Sequence, residues 1–119
     1  MKIFLTAAIA IVLSLAVVGP VAAQEMSMCP HGETIASLQA CVEHAREQGH
    51  IDNQGVTRSL VAKLGAADAA LERDQPAVAV NILEAFVRQL EAQDGKHVVS
   101  PHAGHLEMHA QSVIEALTE

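Results

Sequence analysis

A chain of 119 residues with 14 acidic and seven basic side chains, net charge −7, is sized for one domain. The acidic balance repels phosphate backbones and anionic lipid, so nucleic acid and membrane surfaces are poor partners. Trp and Tyr are absent and Phe occurs twice, which leaves no aromatic platform for stacking sugars.

The chain opens with Lys2, an apolar run over residues 3–18, a Gly19-Pro20 break and small residues through Ala23. That order is the form of a secretory signal peptide at 1–23, with the cut expected after Ala23 rather than retention as an anchor. Cys29 lacks the preceding Leu and small residue that lipidation requires. No later segment is apolar enough over about 20 residues to span a bilayer. The expected product is therefore secreted or periplasmic. Without Lys2 it carries six basic against 14 acidic groups, a charge of −8, and all seven His. Imidazoles titrate near pH ~6.5, so mild acid brings that charge close to neutral. The two cysteines, Cys29 and Cys41, are read as a disulfide, because an exported chain meets oxidising conditions.

Residues 24–33 form an irregular lead containing Pro30 and Gly32. A first helix is predicted from a Thr34 cap to about Gln48, with Ile35, Leu38, Val42 and Ala45 on one face and Cys41 at its edge. A bridge from Cys29 to Cys41 ties the lead over this helix. Gly49 supplies the left-handed stop, and Ile51 plugs the loop. Asp52 or Asn53 caps the second helix, which carries Val56, Leu60, Leu64, Ala67 and Leu71 inward and runs to about Arg73. Gly65 falls opposite that stripe. Asp74 is predicted to cap the third helix, with Pro76 in its first turn and Ala79, Val80, Leu83, Phe86, Val87 and Leu90 inward. Asp94-Gly95 ends it, and Val98 and Val99 are expected to plug the base of the bundle. Ser100 is read as the cap of a fourth helix with Pro101 at its first position, running to about Leu117. Leu106, Ala110, Val113, Ile114 and Leu117 point inward. Four amphipathic helices, short connections and no strand signal predict an all-α, antiparallel up-down-up-down four-helix bundle over residues 34–119.

The predicted domain at 34–119 resembles the FIMAH family from its first helix to its fourth, most clearly over the stretch 49–101. The residues that carry the likeness are Gly49, Ile51, Asn53 and Gly55 at the entry, then Ser59, Leu60, Lys63 and Leu64. Ala79, Leu83, Ala85 and Phe86 follow, then the Gly95-Lys96 stop. The resemblance implies a small extracellular all-helical module, appended in many bacterial secreted proteins to hydrolases or adhesive domains. It brings no catalytic residue set. The 119 residues here hold no hydrolase partner and add extra His and the cysteine pair.

The sharpest chemical candidate lies on the fourth helix. His102, His105 and His109 are spaced by three and four residues and share about 60° of one face. His at i and i+4 is the spacing by which one helix offers two imidazoles to a metal. A site for copper or zinc is therefore one reading, with Met26, Met28, Cys29 and His31 of the lead as possible further ligands. The general base of a zinc protease is absent, since Leu-Glu-Met intervenes between His105 and His109. The competing reading is a row of boundary histidines packed against the first helix or the lead. His44 is expected to be solvated. Ser59, Ser100 and Ser112 lack a nucleophile-elbow setting, and the acidic pairs one turn apart read as solvated faces. The expected function is a non-catalytic module acting through contact with another extracellular protein. Metal binding on the last helix is the alternative, and a histidine-driven response to pH is a third.

Overall fold

The structure, a computed structural model, describes Cys29 and residues 32–119. The expected signal peptide and most of the lead, including Met26, Met28 and His31, lie outside the described residues. Four helices follow: α1 Ile35–Glu47, α2 Gln54–Glu72, α3 Pro76–Gln93 and α4 Ser100–Thr118. Each packs on its chain neighbour, and α1 closes the ring against α4. This is the expected four-helix bundle. Among the described residues no helix is long and apolar enough to cross a membrane.

The starts of α1 and α2 follow from side chains that satisfy orphan amides. Thr34 Oγ1 accepts from Ser37 N at 3.1 Å, and Asn53 Oδ1 accepts from Val56 N at 3.0 Å. Gly49, at φ 83°, ends α1 in a Schellman pair. Gly49 N donates to Arg46 O at 3.0 Å and His50 N to Ala45 O at 2.8 Å.

The core takes the predicted stripes with one rotation. Leu38, Leu60, Leu64, Leu83, Phe86 and Leu90 are fully buried, each stabilising the fold by about 1.5–3 kcal/mol. On α2, Thr57 and Ala70 are buried while Val56 and Leu71 are only half-buried. The stripe predicted through Val56 and Leu71 is thus turned by a residue, because α2 serves both α1 and α3. Leu117 and Val80 are likewise half-buried rather than central.

Two predicted caps are corrected. Asp74 does not cap α3; it closes α2 from the left-handed region, at φ 59°. Its N–H donates to Leu71 O and that of Gln75 to Ala70 O, both at 2.9 Å, the Schellman pattern again. Gln75 then stands at the N-cap of α3 without a side-chain bond. A left-handed backbone costs an L-residue about 1–2 kcal/mol, which glycine avoids. Asp74→Gly is expected to raise stability by about 0.5–1 kcal/mol after allowing for the greater freedom of the unfolded chain. Chemical denaturation checks this, and a destabilised variant would show that the aspartate side chain matters more than its backbone.

Ser100 is the second. It is the first helical residue of α4, Val99 is the N-cap, and the Ser100 hydroxyl donates to Asp94 Oδ1 at 2.6 Å. Val98 is buried as expected, but Val99 is 46% exposed. The loops at this end are stitched together by backbone bonds. Asp52 N donates to His97 O at 3.0 Å and Val99 N to His50 O at 2.9 Å. Ile51 and Val98 pair across the same junction.

Candidate functional site

The histidines of α4 run along the seam between α4 and α1, and that seam gives each a different setting. At the base, the Val99 to His50 bond draws the α1–α2 loop onto the first turn of α4. His50 and His102 consequently stack, with ring centroids 3.5 Å apart and planes 14° from parallel. Burial pushes His102 below the usual imidazole range, and the charges of His50, His105 and His44 push it further the same way. His44, expected to be solvated, is half-buried here, and His105 is exposed.

The lowered His102 value sets a direction for stability. The unfolded chain binds the proton more readily, so this contribution is present above about pH 6.5 and is lost as pH falls through the unfolded and then the folded value. The melting temperature is expected to fall between pH 7.5 and pH 5.5, and His102→Gln is expected to flatten that slope. An unchanged slope in the variant would assign the effect to other groups.

Two turns further along, His109 is 8% exposed and faces inward. Its Nε2 lies 2.7 Å from Gly32 O and 3.1 Å from Ser37 Oγ. A carbonyl only accepts, so Nε2 carries the proton and donates to Gly32. In the neutral ring Nδ1 is then the unprotonated nitrogen, and it stands 3.4 Å from Cys41 Sγ. Ser37 supports the arrangement by donating to Gly32 O at 2.7 Å.

Cys29 and Cys41 form the expected disulfide. Cys41 is buried in α1 rather than at the edge of its face. Among the described residues, Cys29, Cys41 and His109 are grouped with one ligand atom of each within 4.8 Å of the others. Of the α4 stripe, then, His109 joins the sulfurs, His102 joins His50, and His105 lies between. A cavity of about 210 Å³ opens beside His109 and is lined also by Gly32, Glu33, His105, Met108 and Ser112.

The remaining candidates hold the bundle together. Ser59 Oγ donates to Gln89 Oε1 at 3.0 Å and accepts from Lys63 Nζ at 3.1 Å, joining α2 to α3. Burial raises the Glu107 carboxyl, and Glu91 and Asp94 across the α3–α4 seam raise it further. Sequence reasoning passed over Ser37 and His50. Ser37 carried a signal, standing three residues after a capping threonine; His50 carried none, because it lies in a loop and its partner is far along the chain on α4.

A family model described as the FIMAH domain matches residues 35–115, which spans all four helices. No curated protein matches the chain. No solved structure matches it either.

Proposed function

The chain belongs to the FIMAH family, and from that premise we propose that it is an exported, non-catalytic helical module that works by contact with another extracytoplasmic protein. The observation that carries this is Met108. It is 71% exposed, the largest exposure among the big apolar side chains described, and it stands at the rim of the cavity beside His109. Among the described residues, the other large apolar side chains on the helices are buried or half-buried, apart from Val78 on α3 at 42% exposure. An exposed methionine next to a concavity suits adaptable protein contact. The disulfide supports an oxidising compartment, and the acidic surface favours a partner that is neutral or basic.

A photo-crosslinking residue at position 108, in the full chain expressed in its own host, tests the reading. One discrete adduct with a second protein is expected, absent when the crosslinker sits at exposed Ala66 on α2. Purified, that partner should bind at least about tenfold more weakly to Met108→Asp. No adduct, equal adducts at both positions, or unchanged affinity would overturn the proposal.

A further inference from the structure

We propose that reduction of the Cys29–Cys41 disulfide opens a zinc site made of Cys29 Sγ, Cys41 Sγ and His109 Nδ1. Three features of the structure point to it. The first is tautomer. The Gly32 carbonyl fixes the proton on Nε2 and turns Nδ1 towards Cys41, which is the hydrogen bond by which a backbone oxygen orients a metal-ligating imidazole. The lead segment thus supplies one ligand, Cys29, and aims another from Gly32.

The second is distance. Zinc bonds of about 2.3 Å to sulfur and 2.0–2.1 Å to nitrogen at a tetrahedral angle place S and N about 3.6 Å apart. Nδ1 and Cys41 Sγ already stand at 3.4 Å. Two thiolates on zinc lie about 3.8 Å apart, so the two sulfurs, once the disulfide is reduced, need only part to that separation. Cys29 lies outside the helices and can move without unwinding a turn. The third is access: the cavity beside His109 leaves room for the water or solute that completes a four-coordinate shell. Two soft sulfurs and one imidazole suit zinc by ligand type.

The chemistry balances with a phosphine as reductant. The phosphine takes oxygen from water and leaves as its oxide. Its two electrons break the S–S bond, and the two water protons end on the sulfurs. Zinc then displaces both thiol protons to solvent, and two thiolates with a neutral imidazole leave the site uncharged. The disulfide and the metal therefore exclude one another, and the site reports the redox state of its surroundings.

The experiment uses the full chain after removal of its signal segment, reduced with a phosphine that is then removed without air. Zinc alone is the ligand, and cobalt is the spectroscopic probe. The reduced protein is expected to take up one zinc per chain with a dissociation constant below about 1 µM. Cobalt should give thiolate charge-transfer absorption, and zinc should raise the melting temperature of the reduced protein. The disulfide form should bind at least tenfold more weakly. So should reduced His109→Gln and His109→Ala, whereas His102→Ala should bind as the parent does. Weaker binding than 1 µM, a difference below tenfold for either the oxidised form or the His109 variants, or loss in His102→Ala would overturn the site. So would the lack of any rise in melting temperature, since zinc held by the unfolded chain gives none.

Discussion

Phe86→Ala is expected to remove about 3–5 kcal/mol of stability, the range for emptying a fully buried aromatic site. Phe86 has no exposure and is the largest of the fully buried side chains. It sits on α3, which packs against both α2 and α4, so the cavity left behind would be shared by three helices with little freedom to collapse. Domains of this size hold about 5–10 kcal/mol in total. The loss corresponds to a fall of roughly 15–30 °C in melting temperature. Val78→Ala is the contrast. It lies on the same helix, but Val78 is 42% exposed, so its effect is expected to stay within about 0.5 kcal/mol. Urea titration of both variants checks the pair. A Phe86→Ala loss as small as that of Val78→Ala would mean that the ring is not central to the packed state.

The elements legible in the sequence are those written by local physics. The 3.6-residue spacing of Leu60 with Leu64, and of Leu83 with Phe86 and Leu90, needs no tertiary knowledge to be read as buried helix faces. Thr34, Asn53 and Gly49 cap through atoms within three residues or through backbone freedom, so they too are local. Asp74 was ambiguous for a physical reason. Only three residues separate α2 from α3, and an aspartate there can cap the next helix or close the last one. The carbonyls of Ala70 and Leu71 decided it. Ser100 lost its expected role because Asp94, six residues away, took its hydroxyl.

The candidate site divides along the same line. Three histidines on one face of α4 were legible, as was a disulfide between the two cysteines. Which partner each histidine meets was not. His109 finds Gly32 across 77 residues and Cys41 across 68, and His102 finds His50 through a bond between two loops. Helical periodicity assigns a face to a residue, but the assembled bundle assigns the neighbour on that face.

Removing the disulfide is the second large effect expected. The bridge spans a sequence separation of 12, and closing a loop of that size restricts the unfolded chain by about 3 kcal/mol. The native state loses something too. Cys29 anchors the segment whose Gly32 carbonyl holds His109, and Cys41 is buried in α1. Cys29→Ser with Cys41→Ala is therefore expected to lower the melting temperature by about 10–20 °C. The opening should be local at first, because α2 and α3 make none of these contacts. Amide hydrogen exchange would show it: protection should fall most over the first turn of α1, around Ser37, and around His109. If protection fell evenly over all four helices, the bridge would be stabilising the whole bundle rather than tying down its lead. If the double variant melted within 3 °C of the parent, the loop-closure argument would fail. The hydrogen bonds from His109 and Ser37 to Gly32 would then be enough to hold the segment in place.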